Sequence, residues 1–400
     1  MSNEPPTKDV GLRDIPVADT NICLIDGTMG ELSYRGYDIH DLAEYSTYEE
    51  VAYLLLNGDL PDATQLEQFR SKLVSEREIP QPVIDYLQRI PKTSAAMDVL
   101  QSTVALLASF DIDLLDESKE ANQRKAARLI AKLPTIVAAW DRARRNLPPT
   151  APDKKLSHAA NFLYMLKGEM PDDETARDFD VCLIIHAEHS FNASAFAARV
   201  VASTRAHIYA SVVAAIGSLS GELHGGANSR VMRNLLEIGE PDKVEQWVKT
   251  QFDQSHLVMG MGHAVYKTMD PRADILRHMS ERLARRTGEV KWYLMTRKME
   301  DSTKQEFKKR KSGEISPNVD LYSASVYYMM GISPDLYTPV FAVSRIAGWT
   351  AHIVEEKFPE PPIKPAIYRP SAEYHGRYCG PIGCRYIPLG KRVQQSISKV

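Results

Sequence analysis

The chain has 400 residues, of which 44% are apolar and 25% charged, ordinary globular values that exclude a disordered, collagenous or disulfide-scaffold protein. At roughly 150 residues per domain this length suggests two or three domains and a substantial buried core. Lys+Arg 49 against Asp+Glu 52 gives a formal net charge of -3, so nothing in the whole molecule pulls it toward nucleic acid or an anionic membrane, and any polyanion must be met by a local patch.

The opening MSNEPPTKDVGL lacks the basic flank and apolar run of a secretory signal and the Arg-rich amphipathicity of a transit peptide. No apolar stretch approaches the roughly 18 residues of a membrane span. Cysteines are few, Cys23, Cys182, Cys379 and Cys384, and make no metal-binding pair of pairs, so a reducing, cytoplasmic location is expected. Cys379 and Cys384 bracket a Gly-Pro-Ile-Gly turn, where a local disulfide competes with two free thiols; the free thiols are the preferred reading.

NICLIDG and GELSYRG, around Gly27 and Gly30, predict a small β-hairpin. From about residue 40 helical signals take over. Thr47 with Glu50 forms a capping-box pattern, the apolar VAYLLL follows, and Asn57-Gly58 stops the helix before Pro61. Met97, Leu100, Val104 and Leu107 recur at three- and four-residue steps, and Val343, Ile346, Ala347 and Val354 keep to a similar face, both predicting helices packed on a core. Residues 144–156, RRNLPPTAPDKKL, form an exposed connection, and 356–370, EKFPEPPIKPAIYRP, an extended arm. The expected class is all-α.

Histidines in the central third fall in loops flanked by glycine. GELHGGAN sets His224 between two helices, where Gly225 and Gly226 allow close backbone approach to a ligand. LVMGMGHAVYKTMDPRA does the same for His263, then starts a helix with Asp270 as N-cap and Pro271 at its first position. Arg272 lies in that first turn, where the helix field disfavours a cation. An arginine there asks for an anion.

Asp320 in SPNVDLYSA reads first as a plain N-cap. His186 and His189 in HAEHSFNAS lie three apart on a helix, either a metal pair or two satisfied interior histidines, with no third ligand at a zinc-like spacing. KKRKSG at 308–313 is the sharpest basic run, a solvated patch or a phosphate site. Gly260 and Gly262 lack the third glycine of a dinucleotide fingerprint, and neither a Walker A loop nor a G-x-S-x-G elbow is present.

The order YRGYDI, HAEHSFNAS, GELHGGAN, MGHAVYKTMDPRA, SPNVD, SRIAGWTAH, RPSAEY resembles citrate synthase and its relative 2-methylcitrate synthase, from about residue 20 to residue 390. One position departs: Ala264 follows His263 where many bacterial members carry arginine, which touches only fine substrate contacts. The resemblance implies a two-domain helical homodimer, with residues 1–224 and 331–400 as the large domain and 225–330 as a small domain that closes over the site. It implies condensation of acetyl-CoA with oxaloacetate and hydrolysis of the thioester, with propionyl-CoA as the alternative acyl donor. A coenzyme A thioester is then the co-substrate, with no tightly bound cofactor and no metal. Asp320 is the implied base, His224 the donor to the thioester oxygen and His263 the group that polarises the keto oxygen. Arg272, Arg345, Arg369 and His189 would hold oxaloacetate, Arg369 entering the partner subunit's site. Lys267, Arg310 and Lys311 could meet the coenzyme's phosphates. Two rivals are a helical scaffold that lost the chemistry and, more distantly, a metallohydrolase built on His186 and His189.

Overall fold

The computed structural model describes residues 11–12, 15–361, 364–378 and 384–391. The expected hairpin opens the fold: β1 (Cys23–Asp26) pairs antiparallel with β2 (Glu31–Tyr34), Asp26 facing Glu31 across the turn. A third strand, β3 (Tyr37–Asp38), pairs with β2; two residues give no alternation to read.

Helices account for nearly all the remaining regular structure. α1 (Ile39–Tyr45), α2 (Tyr48–Asn57), α3 (Ala63–Ser75) and α4 (Gln81–Arg89) lead to α5 (Ala96–Leu107) and α6 (Lys119–Arg144). α2 begins and ends as predicted, Thr47 accepting the Glu50 N–H and Gly58 taking a left-handed φ of 97°. The capping box is half formed, because the Glu50 carboxylate accepts from Ser46 Oγ at 2.6 Å. On α5 the periodic Met97, Leu100, Val104 and Leu107 are all buried. A connection without helix or strand then leads to α7 (His158–Lys167), α8 (Asp173–His186), α9 (Ala193–Ser203), α10 (Ile208–Leu219), α11 (Ala227–Ile238) and α12 (Val244–Asp253). α13 (Pro271–Thr287), α14 (Val290–Lys311), α15 (Val319–Met329) and α16 (Tyr337–Lys357) bring the helices to sixteen among the described residues.

α16 departs from the one-faced pattern. Every residue from Tyr337 to Glu356 is buried, because α2, α6, α8, α9 and α10 all pack around it. A helix enclosed on all sides must find partners for its polar groups inside the protein. The predicted arm therefore starts later, since Glu356 and Lys357 still belong to α16. α8 and α13 lie antiparallel: Arg286 reaches Glu174 (2.7 Å) and Asp178 (3.0 Å), Arg282 reaches Asp178 (3.2 Å), and Met279 meets Cys182.

Met1–Ala366 form one unit and Ile367–Val400 another. Among the described residues no helix is long and apolar enough to cross a membrane. Cys384 is disulfide-bonded while Cys23 and Cys182 are free, which corrects the preference for free thiols in the tail; Cys379 falls outside the described residues. Sparse cysteine hints at a compartment, whereas a bond forms wherever two sulfurs are held close.

Candidate active site

Asp320 is the second residue of α15, and the cap is Asn318, whose side chain accepts the Asp320 N–H at 3.0 Å. The plain-cap reading fails because asparagine two residues earlier does that work equally well. The Asp320 carboxylate makes no hydrogen bond among the described residues and is pushed up to about 6, chiefly by burial, with the Arg272 and Arg345 guanidiniums opposing and Asp270 adding to the rise.

The loop carrying His263 is clamped against the start of α15. Gly260 has a φ of 81°, and a Cβ there would lie 2.9 Å from the Leu321 Cα, so only glycine lets the loop pass. Asn318 N–H donates to the Gly260 carbonyl (3.0 Å), Asn318 Nδ2 to the Gly262 carbonyl (2.8 Å), and Gly262 N–H to the Ser316 carbonyl (2.8 Å). The His263 Nδ1 accepts the backbone N–H groups of Val265 (2.9 Å) and Tyr266 (3.1 Å). An acceptor nitrogen carries no proton, so neutral His263 must hold its proton on Nε2. Burial, then the Arg272 guanidinium, pulls its pKa down to about 4.

His224 shows the opposite tautomer. Its Nε2 accepts the Ser194 N–H at 3.2 Å and lies 2.9 Å from Ser194 Oγ, leaving the proton on Nδ1. Ser194 is the second residue of α9, so the imidazole faces a helix N-terminus, whose field disfavours added positive charge. This is α9, not the helix that follows His224 in sequence. Burial and the Arg345 guanidinium hold His224 down to about 4. Trp349 Nε1 donates to Ser194 Oγ at 3.0 Å and fixes it from α16.

His186 ends α8, and His189 lies beyond the helix, so the two do not share a helical face as expected. His186 Nδ1 donates to the Cys182 carbonyl at 2.7 Å. His189 Nε2 shares a hydrogen bond with Tyr266 Oη at 3.3 Å, and its ring centroid lies 5.5 Å from that of His263. Burial, reinforced by Arg272 and Arg345, holds it well below the usual imidazole range. Among the described residues no group of three or more His, Cys, Asp or Glu is placed to hold a metal.

Two buried arginines are the common neighbours of this constellation. Arg272 does find an anion, its own N-cap: Asp270 accepts from Nε at 3.0 Å and Nη2 at 2.8 Å. Arg345 does not. Its Nε donates to the His186 carbonyl at 2.6 Å and its guanidinium stacks on the Phe341 ring, but no carboxylate lies within 4 Å among the described residues. Burial brings it down to about 10, against the more distant charge of Glu188. Arg345 stays cationic and 1% exposed, with no carboxylate in direct contact among the described residues.

Arg369 is exposed and belongs to the second unit. Lys267 is exposed on the His263 loop, and Lys311 is the exposed last residue of α14. Arg310 is already paired, to Glu306 and Asp253, both at 2.7 Å. Tyr266, Asp270 and Ser194 each orient a predicted residue without having been singled out for it. Tyr266 and Ser194 stood inside the quoted motifs, but their roles depend on contacts across the fold.

A family model described as citrate synthase, C-terminal domain, matches residues 11–371. The chain belongs to the citrate synthase family. Citrate synthase from Haloferax volcanii is 43% identical over 92% of this chain and 95% of its own length. 2-Methylcitrate synthase from Mycobacterium tuberculosis is 37% identical over 94% and 92%. The solved citrate synthase from Thermoplasma acidophilum, a ternary complex with carboxymethyl coenzyme A and oxaloacetate, superposes with a TM-score of 0.88 at 32% identity, covering 96% of this chain and 98% of that one. The chain is therefore an acyltransferase of the citrate synthase type, condensing an acyl-CoA with oxaloacetate and hydrolysing the thioester.

Proposed function

We propose that Asp320, His224 and His263 carry out this condensation with acetyl-CoA. The observation that supports it best is the buried Arg345, which has no carboxylate within 4 Å among the described residues and whose charge is felt by the Asp320 carboxyl of pKa about 6. A dianionic substrate would supply the missing charge, and arginine's planar fork suits a carboxylate. Arg272 and His189 would contribute further donors.

The methyl group of a thioester is a very weak acid, so its proton leaves only if the developing oxyanion is stabilised at the same moment. Ionised Asp320 takes the proton while the Nδ1–H of His224 donates to the thioester oxygen. The resulting enol carbon attacks the keto carbon of oxaloacetate. The Nε2–H of His263 then passes its proton to the keto oxygen as it becomes a hydroxyl, the imidazole regaining a proton from solvent as Asp320 releases the one it took, and water cleaves the thioester to release CoA. Both imidazoles act as neutral donors, consistent with pKa values of about 4.

The coenzyme's phosphates would meet Lys267 and Lys311. Arg310 remains in the proposal as a weaker cation, being already paired with Glu306 and Asp253. Residues 225–330 would close over the larger body formed by 1–224 and 331–400, excluding water from the enol. A homodimer in which Arg369 enters the partner's site completes the reading. A cytoplasmic location is proposed on the scarcity of cysteine and the free thiols of Cys23 and Cys182, against which the disulfide of Cys384 counts.

The second reading, 2-methylcitrate synthesis from propionyl-CoA, differs by one methylene, worth about 1–3 kcal/mol in an apolar pocket, and a relative of that name is 37% identical. The test is thiol release with oxaloacetate, run with each acyl-CoA and compared as kcat/KM. A higher value for propionyl-CoA would replace the first reading with the second; no release with either would remove both.

A further inference from the structure

α8 connects two different places. Its last residue, His186, belongs to the candidate active site, and its first, Asp173, lines a separate cavity of about 780 Å³. Fourteen helical residues at about 1.5 Å each put these ends about 20 Å apart. The cavity lies within the size range of small-molecule sites, about 300–1,000 Å³.

Five cations line it: Arg70 on α3, Arg77 after it, Lys154 and Lys155 ahead of α7, and Arg177 on α8. Arg177 pairs with Asp180 at 2.9 Å. The other four have no carboxylate within 4 Å among the described residues. Arg70 donates to Thr47 Oγ1 (3.1 Å) and Arg77 to the Asp153 carbonyl (2.7 Å), both neutral acceptors. Arg77 is 2% exposed, and its Nε has no hydrogen-bond partner among the described residues. A guanidinium so placed is costly unless an anion comes to it.

The four acids of the cavity, Glu49, Glu67, Asp173 and Asp180, offset the five cations only in part, and none of them lies within 4 Å of Arg70, Arg77, Lys154 or Lys155 among the described residues. Asp180 accepts the Tyr48 N–H (3.1 Å) and its charge goes to Arg177, while Glu49 accepts the His158 N–H (2.8 Å) and offsets the burial of Arg77 only in part, from beyond 4 Å. Glu67 and Asp173 are exposed. Three helices also begin at its wall, α2 at its cap Thr47, α7 at its cap Ser157 and α8 at Asp173; α2 and α8 have acidic first turns, whereas α7 has none and adds a positive end.

We propose that this cavity is a second binding site, for a small molecule carrying two or three phosphates. A single carboxylate could answer one of the four cations, whereas a phosphate chain could bridge α3 and the 154–155 segment and bring charge toward Arg77. Free polyphosphate and a nucleoside polyphosphate share this chemistry.

Calorimetric titration of the full-length protein with sodium tripolyphosphate and, separately, with ATP tests it. Binding of tripolyphosphate is expected to weaken about tenfold or more in Arg70→Gln/Lys154→Gln/Lys155→Gln, with thiol-release kcat unchanged because none of the three lies in the catalytic constellation. Equal affinity for both probes would assign the site to the phosphate chain alone, and tighter ATP binding to a nucleoside-bearing ligand. The proposal is overturned if neither probe binds below about 1 mM, if the triple variant binds as the wild type does, or if coenzyme A displaces tripolyphosphate competitively.

Discussion

Asp320 carries its carboxyl in the first turn of α15 at a pKa of about 6 against 3.8 for the ordinary side chain, with burial the main cause. Folding therefore favours its protonated form. Between pH 3.8 and 6 the folded state binds more protons than the unfolded chain, so stability falls as pH rises through that window and stays reduced above it. The full shift corresponds to about 3 kcal/mol, an upper bound for a partly solvated group. Asp320→Asn should accordingly raise Tm at pH 7, with the gain shrinking as pH falls toward 4. The same change should lower kcat by about 10²–10⁴-fold and leave oxaloacetate binding nearly intact by calorimetry. Full activity in Asp320→Asn would remove it as the base. In the wild type, kcat/KM for the acyl-CoA should fall tenfold per pH unit below about 6 and show no histidine limb near 6.5, since His224 and His263 stay neutral there. Nitrogen-15 spectra should show His224 protonated on Nδ1 and His263 on Nε2 from pH 5.5 to 8; a doubly protonated ring at pH 6 would contradict the donor roles.

α16 holds Arg345, and three residues later Gly348 makes room for Glu188. A Cβ on Gly348 would lie 2.1 Å from Glu188 Oε2 and 2.4 Å from the Ala187 carbonyl. Glu188 is fully buried, accepting from His352 Nε2 at 3.0 Å while its other oxygen has no partner among the described residues. Its charge is the main one offsetting the burial of Arg345. Gly348→Ala should therefore cost about 1–3 kcal/mol of stability, read as a lowered Tm, and raise KM for oxaloacetate more than KM for the acyl-CoA. An unchanged Tm would mean that the Glu188 backbone yields without strain. The periodic positions of α5 and the Asp270-Pro271 start of α13 were legible because each is a local signal. The full enclosure of α16 was not, since a face pattern records only its apolar residues and says nothing of the buried Arg345, His352 and Glu355. Nor was the link from Ser194 to His224 or from Tyr266 to His189, 30 and 77 residues apart. Asn318 displaced Asp320 as cap because two good caps stood two residues apart, and only the backbone decides between them.

At the scale of the whole molecule, a net charge of -3 coexists with the buried Arg272 and Arg345 of the candidate site and with four cavity cations that have no carboxylate within 4 Å among the described residues, because global charge averages away local fields. The antiparallel pair of α8 and α13 spans the boundary between the proposed domains, with ion pairs at one end and the His186 and Arg272 region at the other. If residues 225–330 close, small-angle scattering should show contraction when oxaloacetate and a non-reacting CoA analogue are added together; an unchanged radius of gyration would argue against closure. The proposed exchange of Arg369 has a sharper test. Asp320→Asn and Arg369→Ala subunits should each be nearly inactive alone. In a mixed dimer the Asp320→Asn subunit still supplies Arg369 to its partner, whose own Asp320 is intact, so one of two sites works. Random reassortment makes half the dimers mixed, and the mixture should recover about a quarter of wild-type activity. If Arg369 acts within its own subunit, neither site of the mixed dimer holds both residues and mixing recovers nothing.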